Sequence, residues 1–191
     1  MTREQIEKEA NGLIAAAKAT VELQGDFPFT ILIHVRDYWK RLPFPDELGS
    51  LMNNGQAKDV LFDGVRKVVQ QSGADAVIFG SDTWQAETTE EGSKHYDTPE
   101  WKELHDTGFV KLVQRGWVKR SECFTVTAQT AAGVLIIQQK YQRLGSGMIQ
   151  LLDSKRNWFD QAHFGGRQKM FGDLRWEKLG SEAAVKGGGP Q

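Results

Sequence analysis

A helical stripe that closes on a glycine and passes straight into an apolar run is the pattern in this chain that leaves fewest folds open. Ala57, Val60, Leu61, Val65, Val68 and Val69 recur at helical spacing between residues 56 and 72, and Gly73 stands where a left-handed residue ends such a helix. Ala74-Asp-Ala-Val-Ile-Phe79 follows, mostly apolar and too short for a helix, so it reads as a buried strand. Upstream, Phe29-Thr-Ile-Leu-Ile-His-Val-Arg36 is a second strand rich in β-branched residues. Strand, helix and strand in that order have the makings of a βαβ unit with parallel strands. On this reading Ser81, Asp82 and Trp84 leave the carboxyl end of the central strand, where open α/β sheets bind ligands.

Thr2 and Gln5 have the spacing of a capping box, and Ile6, Ala10, Leu13, Ile14, Ala17 and Val21 form a further amphipathic stripe that stops at Gly25-Asp26. Glu122–Ala128 and Val134–Tyr141, joined by a short glycine-containing loop, read as a hairpin whose partner numbers sum to 261 or 262. Residues 37–55, punctuated by proline, glycine and asparagine, read as a long connection, and residues 85–108 as an exposed acidic loop with a short helix over 99–106. Beyond Gly145, Met148–Leu152 suggests a strand and Trp158–Phe164 a helix. The expected fold class is α/β, with a single domain over residues 1–143 and a mixed sheet of about four strands, the βαβ unit plus the C-terminal hairpin. Two amphipathic helices accompany it, and residues 144–191 form a basic, aromatic C-terminal extension, frayed at its end.

The longest apolar runs fall short of the ~18 residues that read as a membrane span, so a cytoplasmic protein with no membrane partner is expected. Cys123 is the one cysteine, which rules out an internal disulfide and a thiolate zinc cluster and suits a small buried residue. His34 alternates onto the sheet as a hydrogen-bonded structural histidine. The net charge of −1 conceals a split: residues 1–108 carry 11 Lys+Arg against 19 Asp+Glu, and residues 109–191 carry 13 against 6. Such a split suits contact between the two parts, within one chain or between copies in a homo-oligomer, and it also suits an anionic partner.

Three constellations carry candidate chemistry. Asp82, Glu122 and the Gln138-x-Lys140 pair resemble the degenerate metal site of a nuclease-like phosphodiesterase, in which carboxylates hold a divalent ion and a lysine orients water; the competing reading is a cross-strand Glu–Lys pair. Arg156, Trp158, Arg167, Lys169, Arg175 and Trp176 alternate cations with rings, as single-stranded nucleic acid requires, or dock the extension on the domain. Ser81, Asp82 and Trp84 form the third group, at the end of the central strand. Walker and Gly-x-Gly-x-x-Gly patterns, a Gly-x-Ser-x-Gly elbow and His-x-x-x-His spacing are missing, so neither a cofactor nor a metal is expected. A non-enzymatic binding or regulatory module with a protein or nucleic-acid partner is the leading expectation, and the phosphodiesterase is the alternative.

Ile33-His-Val35, Pro43-Phe-Pro-Asp46, Lys58-Asp59, Gly73–Phe79 leading to Ser81-Asp-Thr-Trp84, and Arg120-Ser-Glu122 together resemble a family of small bacterial and phage-associated hypothetical proteins with no assigned activity. The resemblance covers roughly residues 1–143, implies a single domain and contributes no catalytic residues. Asp82 stands where that family would have a glutamate before the tryptophan.

Overall fold

The structure, a computed structural model, describes residues 1–43 and 55–160. Its first helix begins as the sequence dictates. The Thr2 hydroxyl accepts from the Gln5 N–H and the Gln5 side chain accepts from the Thr2 N–H, opening α1 (Arg3–Gln24). Gly25, at φ 90°, closes it in the left-handed region and donates its N–H to Val21 O. Two strands follow as a tight hairpin, β1 (Thr30–Val35) and β2 (Tyr38–Arg41), turned at Arg36 with φ 61°. Then come α2 (Gly55–Ser72), β3 (Ala76–Thr88), three short helices α3 (Glu90–His95), α4 (Pro99–Thr107) and α5 (Phe109–Gln114), and the strands β4 (Val118–Thr130), β5 (Gly133–Arg143) and β6 (Ile149–Asp160).

The described strands form one six-stranded sheet in the order β2-β1-β3-β4-β5-β6, antiparallel throughout. This corrects the expected mixed sheet of about four strands. Tyr38-Trp-Lys-Arg41 lacks an apolar alternation, so β2 is invisible to a hydrophobicity pattern, yet it reverses the chain before α2. The crossover through α2 therefore starts from β2. It joins two strands that run the same way with β1 between them, and β1 meets β3 antiparallel. The sheet also carries past residue 143, where the sequence reading ends the domain: β6 pairs along β5, and Trp158 lies in a strand where a helix was expected.

α1 lies on one face of the sheet and α2 on the other. Ile6, Ala10, Leu13, Ile14, Ala17 and Val21 bury against Ile78, Phe124, Val126, Leu135 and Ile137 on the α1 face. Gly80 marks the closest approach, because a Cβ there would stand 2.7 Å from Leu13 Cδ2. On the α2 face Val65 and Val69 bury against Ile31, Ile33, Val77 and Phe79, with Leu61 and Phe62 partly buried. Val60 and Val68, assigned to that stripe from spacing, turn outward at 73% and 39% exposure. No helix among the described residues is long and apolar enough to cross a membrane.

Candidate functional site

Strand alternation decides which candidate residues meet. β3 continues through Ser81–Trp84 to Thr88, so these residues sit mid-strand and alternate between faces instead of clustering at a strand end. Asp82 and Trp84 share the α1 face, and Ser81 faces the other way with Thr83 and Glu87. The β4–β5 turn is Ala131-Ala132, which sets partner sums at 263 and places Glu122 opposite Tyr141. This displaces the expected Gln139 or Lys140 partner by one or two residues, and a one-residue slip moves every side chain to the other face. Glu122 therefore joins Asp82 on the α1 face, while Gln138 and Lys140 lie on the opposite one.

Asp82 and Glu122 converge around two groups that sequence reasoning passed over. The Tyr141 hydroxyl, with one proton to donate, lies 2.9 and 2.8 Å from the two Asp82 oxygens and 3.4 Å from Glu122 Oε1. Arg143 donates from Nε to Glu122 Oε1 at 2.7 Å and from its first terminal nitrogen to Gly25 O at 2.7 Å, tying the end of α1 to β5. Phe124 stacks under the Tyr141 ring at 4.4 Å. Burial pushes the Asp82 carboxyl above its ordinary range, with the Tyr141 hydrogen bond acting against it; burial followed by the Asp82 carboxylate pushes the Tyr141 phenol up. The pairing with Glu122 raises Arg143 further. This is a closed set of acids, cation and hydroxyl that satisfy one another. Among the described residues no three His, Cys, Asp or Glu side chains are placed to hold a metal ion.

Lys140 has its own partner on the far face. It meets Glu87 at 2.7 Å, and Lys155 of β6 meets the same carboxylate at 3.0 Å, so hydrogen bonds from both lysines hold Glu87 at about 2. A depressed carboxyl contributes stability that is present above its unfolded value of 4.5 and lost as the pH falls toward about 2. Glu87→Gln is accordingly expected to lower the urea midpoint at pH 7 and to match the wild type near pH 2; parallel curves at all pH values would refute the pairing. Asp82 runs the other way, since a raised carboxyl lets the folded chain take up its proton first and favours the fold as the pH falls toward 3.8. Beside Lys140, Cys123 is fully buried and its thiol is pushed up by burial.

The remaining candidates separate. Trp84 is 58% exposed, with the Arg120 guanidinium 4.2 Å over its ring. Arg156 is exposed on β6, while Trp158 is partly buried against the α1 core with the Arg3 guanidinium 4.9 Å above it. Arg167, Lys169, Arg175 and Trp176 lie outside the described residues. His34 is held by Asp75 at 2.5 Å, as a structural histidine.

An open cleft of about 400 Å³ lies farther along the α1 face, between the ends of β3 and β4 and the helices that connect them. Ala86, Thr88 and Val118 form its floor; Tyr96, Trp101 and Phe109 supply rings; Asp97, Lys102, His105 and Asp106 stand at its charged rim. Its wall is rigidly made. Thr89 and Thr98 cap α3 and α4, Pro99 occupies the first turn of α4, and Trp117 is stacked between His95 at 4.2 Å and Trp101 at 5.9 Å. Tyr96 leans on Trp101 at 5.3 Å and is 65% exposed. The short helix expected over 99–106 is α4, whereas α3 and α5 fall where the density of acids and its surroundings read as a loop or gave no signal. Comparison of the chain with protein-family models, with curated proteins and with solved structures finds no match.

Proposed function

We propose that this protein is a non-enzymatic binding module that receives a protein segment in the cleft between the β3/β4 ends and α4–α5. The observation that carries this reading is the contrast between two sites on one face. Asp82 and Glu122 are closed upon Tyr141 and Arg143 and part-buried, whereas the cleft presents rings and a rim whose Lys102–Asp97 and His105–Asp106 pairs are exposed to solvent. The rim sets the Asp97 and Asp106 carboxylates against the Lys102 ammonium, a balance that opposes a polyanion and suits a peptide of mixed charge. Nucleic acid would have to be held elsewhere.

One observation favours the alternative metal-dependent phosphodiesterase: two carboxylates do converge. Against it, the lysine that would orient water stands on the opposite face and the ion's place is taken by Arg143. Two experiments decide. A ligand-observed NMR screen of short peptides against the full chain is expected to give binders whose affinity falls at least about tenfold in Ala86→Trp, which fills the cleft floor. Binding that persists in that variant would refute the cleft. Incubation with single- and double-stranded DNA in Mg²⁺ or Mn²⁺ is expected to give no more cleavage than Glu122→Ala; cleavage abolished by that change would establish the enzyme.

A further inference from the structure

We infer that β6 is a self-pairing edge through which two copies of this chain join their sheets. The six-stranded sheet has two edges among the described residues, and they are unlike. β2 is four residues long and ends in Lys40-Arg41, a short charged edge of the kind that resists further pairing. β6 runs from Ile149 to Asp160, is exposed over residues 150–157 on both faces, and leaves Leu151 and Leu152 at 38% and 43% exposure. Its outer backbone groups face no other described strand, and although a register shift interrupts it at residues 152–153, the run from Ser154 to Asp160 is a regular edge that can template another.

The charges of β6 select the second copy as the occupant. Two identical antiparallel strands are related by a two-fold axis normal to the sheet, so each residue meets a partner on its own face and paired numbers add to an even value. Centring the axis on Asp153 sets acid against acid, and centring it on Lys155 sets base against base. Centring it on Ser154 sets Asp153 of each copy opposite Lys155 of the other, twice, with the small serines at the axis. Lys155 is turned to the α2 face toward Glu87, and Asp153 stands at the register shift between Leu151 and Ser154, opposite Lys140. Asp153 has no ion-pair partner among the described residues, although its neighbour Lys155 does. Charged side chains keep an edge from pairing when they meet like charges, whereas β6 carries both signs in an order that matches itself.

Sedimentation velocity of the full chain over a concentration series tests this. The wild type is expected to form a dimer that weakens with added salt. Asp153→Lys and Lys155→Glu are each expected to raise the dimer dissociation constant at least about tenfold, and an equimolar mixture of the two variants is expected to recover a one-to-one pair. If circular dichroism shows that Asp153→Lys disturbs the fold, Asp153→Asn replaces it, with a smaller loss of dimer. A wild type that stays monomeric at every concentration overturns the inference. So does a dimer that neither position affects.

Discussion

Phe124→Ala is expected to remove about 3–5 kcal/mol from the stability of the fold, the range for truncating a fully buried aromatic ring. Phe124 is 0% exposed and belongs to the cluster that joins α1 to β3, β4 and β5. Its ring meets Phe27 edge-on at 6.2 Å and stacks on Tyr141 at 4.4 Å, so the cavity opens at the point where the α1 terminus, the sheet and the Asp82 carboxylate come together. Collapse is hindered because β4 is paired on both sides. Urea unfolding followed by tryptophan fluorescence reads the loss, with an unchanged slope if the denatured state is unaltered. A loss below about 1 kcal/mol would mean that the α1 face is not the main core.

Gly92→Val is expected to give the second largest effect, and to concentrate it at the cleft. A Cβ at Gly92 would stand 2.0 Å from Trp117 O, and that atom is backbone, so no side chain can turn aside to make room. The turn of α3 must lift from the start of β4, against the Thr89 hydroxyl bond to Gly116 O and the Thr89 N–H bond to Trp117 O. Overpacking of this kind costs typically about 1–3 kcal/mol. The near-ultraviolet circular dichroism of the His95–Trp117–Trp101 stack should fall with it, and peptide binding at the cleft should be lost. Gly12→Ala is the control: nothing lies within 4 Å of its added methyl, so the helix gains roughly 0.5–1 kcal/mol. Equal behaviour of the two variants would refute the close approach of α3 to Trp117.

Local signals in the sequence were legible where they act within a few residues. The capping box of Thr2 and Gln5, the apolar stripe of α1, the buried run through Phe79 and the hairpin between β4 and β5 all follow from such spacings. What escaped were features set by pairing at a distance. β2 offers the core only Trp39, too little for an apolar pattern, so its presence is decided by β1. Its omission turned an antiparallel neighbour into a parallel one. The turn at Ala131-Ala132 lay within reach of a reading that centred it at 130–131, but the small error in register set Glu122 beside Lys140, which lies on the opposite face, and hid Tyr141 and Arg143. The rings of the cleft were visible one by one; nothing in the sequence says that residues 96, 101 and 117 return to one another.

The placement of α1 has a consequence for how this chain is made. Its apolar stripe is made well before the surfaces that bury it, which come from β3, β4 and β5 and reach Ile149 at the start of β6. Arg143 fastens Gly25, and Glu22 accepts from the Ile149 N–H, so even the end of the helix is fixed by residues more than a hundred positions later. At about 5–20 residues per second, the nascent chain carries Ile6, Leu13, Ile14 and Val21 unsheltered for something like 6–25 s. α1 therefore takes its final seat only after β5 has been made, although it precedes β5 in the chain by more than a hundred residues.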